Sequence, residues 1–164
     1  MNTRVMGLDP GTATTGFGIV EGELDTLVLV EYGAILTPAG MPMPERLAML
    51  YDRLTALLAR HSIAALSIEK LFFNRNVTTA LTVGQARGVM LLAAYKAGIP
   101  VFEYTPLEVK QALVGYGRAS KDQMQQMVRM ILRLDHAPHP DDAADALANA
   151  ICHVQSARMR DLMR

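Results

Sequence analysis

The sequence predicts an α/β fold in which a mixed sheet carries helices on its faces. Three apolar runs with strand character occupy residues 4–36, and helix and strand patterns then alternate along the rest of the chain. A length of 164 residues and a hydrophobic content of 51% are typical of one domain with a substantial core. We expect that domain to span residues 1–157 and a short C-terminal tail to follow over residues 158–164.

The first half of the chain reads as a meander followed by a helix, a strand and a second helix. Residues 4–9 form a short apolar strand, the P-G-T-A-T-T-G turn leads into F-G-I-V-E, and T-L-V-L-V-E-Y-G-A-I-L is the third strand. Pro42 and Pro44 open a helix with leucines on one face. I-A-A-L-S-I-E is then a buried strand, and a long helix over about 77–97 stops at Gly98.

The second half continues the alternation. V-F-E-Y is a fifth strand, and two helices over about 106–114 and 120–133 are separated by a G-Y-G turn. The proline-rich loop H-A-P-H-P then precedes a last helix over about 141–157. Three strands followed by alternating helices and strands predict a mixed, partly parallel sheet.

Cysteine usage and hydropathy bear on the compartment. Cys152 is the one cysteine, which excludes an internal disulfide and favours a reducing environment, and its helical spacing indicates a buried thiol. We expect no secretory signal, because no basic segment followed by an apolar core opens the chain. We also expect no membrane span, because the longest apolar stretch, V-M-L-L-A-A-Y, is too short. The expectation is a cytoplasmic protein.

The net charge is zero, but the charges are unevenly distributed. Residues 70–133 carry 9 basic and 3 acidic side chains, whereas residues 1–69 carry 4 and 8, and residues 134–164 carry 3 and 5. The basic block is explained equally well by a solvated helical surface and by a surface on which a polyanion lies. Charge alone leaves both interpretations open.

Four carboxylates lie where strands end and a helix begins. Asp9 and Glu69 close apolar runs, and Asp142 and Asp145 share one face at the start of the last helix. Acids from three segments repel one another unless cations join them, and Mg²⁺ and Mn²⁺ prefer oxygen ligands. Taken alone, the helical pair is better explained as acids that favour a helix N-terminus. Asp9 and Glu69 are not explained that way, so the set is a candidate two-metal site for phosphodiester hydrolysis.

A series of short motifs follows in collinear order over about residues 4–156. They are G-L-D-P-G, I-E-K-L-F-F, N-V-T-T-A-L-T-V-G-Q-A-R-G-V, V-F-E-Y, V-K-Q-A-L-V-G-Y-G, K-D-Q-M and D-A-A-D-A-L-A. This order closely resembles the RuvC family of bacterial Holliday junction resolvases. The resemblance implies a ribonuclease H-like fold with a five-stranded mixed sheet and helices on both faces. It also implies an endonuclease of recombination and repair that cuts four-way DNA junctions by paired symmetric nicks and leaves 5′-phosphate ends.

The resemblance also implies roles for individual residues. It assigns two Mg²⁺ or Mn²⁺ ions per active site to Asp9, Glu69, Asp142 and Asp145, and the register of D-A-A-D selects Asp142 over Asp141. Lys121 is implied as a further catalytic residue near the scissile phosphate, where a cation offsets developing charge. The implied DNA-binding residues are Phe72, Phe73, Arg75, Asn76, Lys110 and Lys121. Phe72 matches an aromatic that stacks at the open junction centre; the alternative, a core phenylalanine, is weakened by the polar N-R-N that follows Phe73.

Small residues on the long helix suggest a way to pair two copies. Ala80, Gly84 and Gly88 recur every four residues and form a smooth face. By spacing alone, this face fits either another helix or the chain's own sheet. The resemblance implies that it is the interface of a homodimer, which places one acidic site on each of two equivalent strands. It further implies contact with the RuvA and RuvB branch-migration complex.

The chain departs from the family pattern in three respects. Its net charge is neutral where relatives are often basic, it lacks a long basic tail after R-M-R-D-L-M-R, and Asn149 lies one turn after Asp145 with its role open. Two other classes stay in view. L-D-P-G-T resembles the phosphate loop of actin-like and sugar-kinase phosphotransferases, which need two such domains. A junction-binding module without catalysis is the second, although all four carboxylates are present.

Overall fold

The computed structural model describes residues 3–72 and 77–163. It contains the five predicted strands and five α-helices, together with a single 3₁₀ turn at Leu24–Thr26. In chain order the elements are β1 (Arg4–Asp9), β2 (Thr14–Glu21), β3 (Val28–Leu36), α1 (Met43–His61), β4 (Ala65–Glu69), α2 (Val77–Lys96), β5 (Val101–Tyr104), α3 (Pro106–Val114), α4 (Lys121–Ile131) and α5 (Asp141–Leu162).

The five strands form one mixed sheet in the order β3-β2-β1-β4-β5. β1, β2 and β3 pair antiparallel, which confirms the meander, while β1 and β4 and then β4 and β5 pair parallel. The register places Leu8 of β1 beside Ile68 of β4. The two parallel strands therefore end side by side, with Asp9 next to Glu69.

Helices cover both faces of the sheet, as predicted. Alternate residues of β1 enter two separate cores: Met6 and Leu8 pack with α1 and α2, whereas Val5 packs with α3, α4 and α5. Cys152 of α5 is fully buried in the second core, and burial raises the pKa of its thiol to about 11. The prediction of a buried thiol is confirmed.

Three glycines let α5 lie directly on the sheet. A Cβ atom at Gly7 would overlap with the carbonyl oxygen of Ala146, one at Gly16 with the carbonyl oxygen of Asp142, and one at Gly18 with the side chain of Leu147. The glycines are neighbours, because Gly7 pairs with Gly18 across β1 and β2, and Gly16 pairs with Asp9. This glycine platform (Gly7, Gly16 and Gly18) brings the first turns of α5 to the end of β1.

Replacement of Gly7 by alanine is expected to destabilise the protein by at least about 1–3 kcal/mol, because the added methyl group meets backbone that no side-chain rotation can move. The same change at Gly40, where a Cβ would meet no described atom within 4 Å, is the control. Urea unfolding of both variants measures the difference. Equal stabilities would show that α5 does not rest on Gly7.

Capping boxes define where α3 and α4 begin. The Thr105 hydroxyl accepts from the Glu108 amide while the Glu108 carboxylate accepts from the Thr105 amide, and Ser120 and Gln123 repeat the arrangement. The second box makes Lys121 the first residue of α4. Its position beside the start of α5 is therefore set locally.

The last helix is longer than the sequence prediction. The pattern indicates an end near residue 157, but α5 continues to Leu162. No glycine or proline follows Pro140, and the residues R-M-R-D-L are acceptable or good helix formers, so nothing ends the helix earlier. Residues 158–162 thus belong to α5 rather than to an irregular tail.

The surface of α2 is unusually apolar. By length and composition alone this helix is long and apolar enough to cross a membrane, with a mean hydropathy of 1.2. This differs from the sequence-based expectation that no stretch is long enough for a membrane span. Core helices of soluble proteins often pass the same test, so one such helix is weak evidence for a membrane. Only 22% of the tested window is fully buried, however, and much of the remaining apolar surface is partly or fully exposed in the single chain.

Candidate active site

The four predicted carboxylates come together at one end of the sheet. Asp9 and Glu69 end neighbouring parallel strands and lie on the α5 face, in phase with Gly7 and Ser67. Asp142 and Asp145 stand in the first turns of α5, which the glycine platform holds against β1 and β2. Strand register and helix docking together assemble the cluster from three distant segments.

The pKa of Asp9 reflects its burial and the proximity of the other three carboxylates. The pKa of Asp9 is raised from its ordinary value of 3.8 to about 8, mainly by burial and also by the charge of Asp145, a hydrogen bond with Asp142, and the charges of Asp142 and Glu69. All three other carboxylates thus act on Asp9. Such a strongly perturbed acid marks a functional site.

Two lysines partly offset the charge at the edge of the cluster. Burial and the charge of Asp145 raise the pKa of Glu69, whereas Lys110 lowers it. Burial raises the pKa of Asp145, Lys121 lowers it, and its neighbouring acids raise it again. The four carboxyl groups of the cluster therefore outnumber the two lysines beside it.

The residues fit a hard divalent cation. Among residues 3–72 and 77–163, no three His, Cys, Asp or Glu side chains are already arranged as a metal-binding group. The hydrogen bond with Asp142 and the charges of the neighbouring acids both raise the pKa of Asp9, so these carboxyl groups repel one another when ionised. A donor set of carboxylate oxygens alone suits Mg²⁺ or Mn²⁺, whose charge would remove the repulsion.

Lys121 is held by Asp141 at the start of α5. Its Nζ atom lies 3.3 Å from a carboxylate oxygen of Asp141 and 4.0 Å from one of Asp145. The amide of Gln125 donates to the other oxygen of Asp141 at 3.0 Å. Asp141 is exposed and turned toward α4, and these contacts lower its pKa. The structure therefore gives Asp141 a different environment from Asp142.

A groove of about 290 Å³ opens beside the cluster. It is lined by Glu69, Pro106, Val109, Lys110, Ala119, Lys121, Met124, Asp145, Ala148 and Asn149. The groove combines two acids with two lysines, and these charges suit a phosphodiester, whose oxygens need cations during hydrolysis. Asp9 and Asp142 are not among the lining residues.

Only part of the predicted basic block faces this groove. Lys110 and Lys121 line it, but Arg87 pairs with Glu103 at 2.5 Å and Lys96 stands over the ring of Tyr51 on the opposite face. The charge pattern along the chain is therefore a weaker guide to the site than the carboxylates are.

Phe72 is 55% exposed, which excludes the alternative of a core phenylalanine. It follows Glu69 by three residues and so stands near the acidic end of β4. The other candidate DNA-binding residues of this segment, Phe73, Arg75 and Asn76, lie outside the described residues. Their roles stay predictions.

The small residues of α2 lie away from the chain's own sheet. A Cβ atom at Gly88 would meet no described atom within 4 Å, and one at Gly84 would meet only Leu71, at 3.7 Å. Ala86 and Met90 are the buried residues on the opposite side. The exposed side with Ala80, Gly84 and Gly88 also carries Val77, Leu81, Leu92 and Tyr95, and we call these seven residues the α2 stripe. Packing against the sheet does not explain the glycines.

The sequence analysis missed two features that hold α5 on the sheet. One is the glycine platform, for which the spacing G-F-G in β2 beside a glycine in β1 was an available signal. The other is the hydrogen bond from the buried Ser67 hydroxyl to the carbonyl oxygen of Asn149, for which a serine within the apolar run of β4 was an available signal. Both dock α5 against the strands.

A pH effect follows from the buried Asp9. Between about pH 4 and pH 8 the folded, metal-free protein keeps a proton that the unfolded chain has lost, so its free energy of unfolding is expected to fall as pH rises through that window. The slope from Asp9 is at most about 1.4 kcal/mol per pH unit. Urea unfolding in a chelator at several pH values measures it, and Asp9→Asn should flatten the curve. The exposed acid variant Asp52→Asn should keep the parental slope, and an equal slope in Asp9→Asn would contradict the assignment.

The fold and the site define a class of protein first. A five-stranded mixed sheet with helices on both faces, carrying acids at the ends of its central strands, is the architecture of ribonuclease H-like nucleases. The family model of the crossover junction endodeoxyribonuclease RuvC matches residues 5–153. The chain belongs to the RuvC family.

Relatives of known sequence support this membership. The chain is 59% identical over 155 residues to the RuvC of Rubrobacter xylanophilus, covering 94% of this chain and 87% of the relative. It is 60% identical over 154 residues to the RuvC of Chloroflexus aggregans, covering 94% of each chain. These relatives are crossover junction endodeoxyribonucleases, so the enzyme class is confirmed.

Solved structures agree with the fold. T. thermophilus RuvC in complex with a Holliday junction substrate superposes with a TM-score of 0.92 at 40% identity over 96% of both chains. The yeast mitochondrial Holliday junction resolvase Ydc2 has a TM-score of 0.71 at 13% identity, covers 97% of this chain and 81% of its own, and shares the fold. The ribonuclease H-like prediction is confirmed. Family membership sets aside the phosphotransferase and the purely binding module.

Proposed function

We propose that this enzyme resolves Holliday junctions in homologous recombination and DNA repair by hydrolysing one phosphodiester bond in each of two symmetric strands. Each nick would leave a 5′-phosphate. The observation that carries the proposal is the convergence of four carboxylates at the end of the sheet, where neighbouring parallel strands end and the first turns of α5 lie on them. The groove beside them, with Lys110 and Lys121, has the charges that a DNA strand needs.

In this proposal Asp9, Glu69, Asp142 and Asp145 hold two Mg²⁺ or Mn²⁺ ions. When bound, the ions supply Lewis-acid stabilisation and activation of water for in-line displacement. The chain contributes the arrangement: β1 and β4 fix two of the carboxylates, and α5 brings the other two. Bound cations would relieve the repulsion around Asp9 and would displace the proton that its raised pKa retains.

Lys121 and Lys110 act as cations toward the phosphate. The Nζ atom of Lys121 lies 4.0 Å from a carboxylate oxygen of Asp145 and also forms an ion pair with Asp141. The ion pair with Asp141 would keep the ammonium group at the groove when Asp145 binds a cation. Lys110 acts on Glu69 from the other side. Each is placed to offset negative charge that develops on the scissile phosphate.

The enzyme would work as a homodimer joined through the α2 stripe. Val77 and Tyr95 at its two ends are 79% and 83% exposed, and Gly84 and Gly88 between them leave room for a second backbone. An apolar stripe of this length on a helix calls for a covering surface. A two-fold copy of the same helix supplies one and duplicates the acidic site.

The wider assignments rest on family membership. Contact with the RuvA and RuvB branch-migration complex and a cytoplasmic location are proposed for this chain because it belongs to the RuvC family of bacteria. Co-sedimentation of the protein with RuvA and RuvB on a four-way junction tests the first. Sedimentation of RuvA and RuvB with the junction, without this protein, would contradict the proposed contact.

Incubation with a synthetic four-way junction tests the function. We expect two nicks at symmetric positions in the presence of Mg²⁺ or Mn²⁺, none in a chelator, and none in a linear duplex of the same sequence. Mapping of both strands on a sequencing gel gives the positions and the end chemistry. Equal cutting of the duplex would contradict junction resolution, and binding without nicks in either metal would contradict catalysis.

Phe72→Ala is expected to reduce cleavage more than junction binding, because a flat side chain stabilises an unpaired base by roughly 1–3 kcal/mol. Met159→Ala is the matched control, since Met159 is 54% exposed and lies near the far end of α5. Single-turnover cleavage and a gel-shift titration separate the two effects. An unchanged cleavage rate in Phe72→Ala would remove the stacking role.

A further inference from the structure

Asn149 is a polar residue in an apolar part of α5. It is 3% exposed, and its neighbours from Ala146 to Cys152 are otherwise apolar and buried. It lies one helical turn after Asp145, on the same side of the helix. Packing alone would be served by alanine or leucine, so the amide needs another explanation.

Its side chain makes one long-range hydrogen bond to the strand that carries Asp9. The Nδ2 atom donates to the carbonyl oxygen of Leu8 at 2.9 Å, and Leu8 is the residue immediately before Asp9. The main chain of Asn149 makes a separate contact, because its carbonyl oxygen accepts from the Ser67 hydroxyl at 2.7 Å. The side chain therefore acts on β1, and the backbone contact ties α5 to β4.

The other end of the amide remains accessible to water. Because Nδ2 donates to a carbonyl, the remaining polar atom is Oδ1, and it has no partner among the described residues. In the part of the chain that the structure describes, Arg87 Nε is the only side-chain nitrogen or oxygen that is both fully buried and without a hydrogen-bond partner. The unpaired Oδ1 of Asn149 is therefore not fully buried and can be reached by water. Asn149 lines the groove together with Glu69, Asp145 and the two lysines.

The geometry points to Asn149 as a positioning residue of the acidic site. Its donor holds the Leu8 peptide and thereby sets the direction in which Asp9 leaves β1, while Oδ1 offers the groove a neutral acceptor for water. A carboxylate at this position would add to the repulsion around Asp9, and an apolar side chain would release the peptide. This inference rests on the proposed metal site.

Metal affinity tests the inference without cleavage. Asn149→Ala, and Asn149→Leu as a variant that retains the volume, are expected to bind Mn²⁺ roughly tenfold or more weakly in calorimetric titration without DNA, because loss of a group that orients a ligand typically costs this much. Circular dichroism and thermal unfolding confirm that each variant is folded at the temperature of the titration. Junction binding in a chelator should match the parent, since no charge changes.

Ser67→Ala is the matched control. It removes one buried hydrogen bond from the same region but leaves the bond between Asn149 and Leu8 in place, so Mn²⁺ affinity should stay within about twofold of the parent. Folded Asn149 variants with parental affinity would overturn the inference, and so would an equal loss in Ser67→Ala, which would mean general docking of α5. A parent protein that binds no Mn²⁺ would overturn the proposed metal site itself.

Discussion

Asp9→Asn is expected to abolish junction cleavage, with a loss of at least about a hundredfold in the single-turnover rate. Asparagine keeps the size of the side chain but removes the carboxyl group that would bind the cations beside the three other carboxylates. The electrostatic stabilisation that a divalent cation supplies to phosphoryl chemistry amounts to several kcal/mol, and a misplaced or missing ion forfeits it. Cleavage of a labelled four-way junction at saturating Mg²⁺ and Mn²⁺ measures the effect.

Binding should respond in the opposite direction. Because asparagine places no negative charge near the phosphates, the affinity of Asp9→Asn for the junction should equal or exceed that of the parent in a gel-shift titration. Asp52→Asn, an exposed acid on α1 across the sheet, provides the control and should cleave normally. Full activity of Asp9→Asn would refute the metal-site assignment.

Gly88→Glu is expected to separate the proposed dimer into monomers. A side chain at this position meets open space in the single chain, and glutamate is a better helix former than glycine by roughly 0.5–1 kcal/mol, so the monomer itself should not be weakened. In a dimer the same side chain would place a charge in the middle of the α2 stripe, where a second backbone approaches. Sedimentation velocity over a range of concentrations measures the association.

Paired cutting should disappear with the dimer. A monomer carries one acidic site, so nicks on the two strands of a junction would become independent and slow. Gly40→Glu makes the same substitution at another exposed glycine with no described atom within 4 Å, and it should remain dimeric. A dimer of unchanged affinity in Gly88→Glu would remove the α2 stripe as the interface.

The order of elements was predictable because each follows from local periodicity. Alternating apolar residues define the strands, leucine spacing defines α1, and the capping residues Thr105 and Ser120 mark where α3 and α4 start. Asp9 and Glu69 could be picked out for a related reason. A charged residue that ends a buried run has little structural purpose, so its position indicates chemistry.

Contacts between distant segments were not predictable in the same way. Whether Asn149 reaches the Leu8 peptide depends on how closely α5 approaches β1, and that distance is set by Gly7 and Gly16 more than 100 residues earlier. The exposed side of α2 posed a similar problem. The residue spacing predicted a face of small residues on α2, but not whether that face points to the sheet or to solvent. The direction is set by Ala86 and Met90, which are buried on the opposite side of the helix.

The glycine platform has a consequence for the order in which the enzyme is made. A ribosome releases Asp9 and Glu69 early, whereas Asp142 and Asp145 emerge with the last helix. A nascent or prematurely terminated chain therefore holds only half of its carboxylates and exposes a bare glycine surface where α5 should lie. Docking of α5 therefore completes the candidate site, so a chain that lacks this helix lacks Asp142 and Asp145.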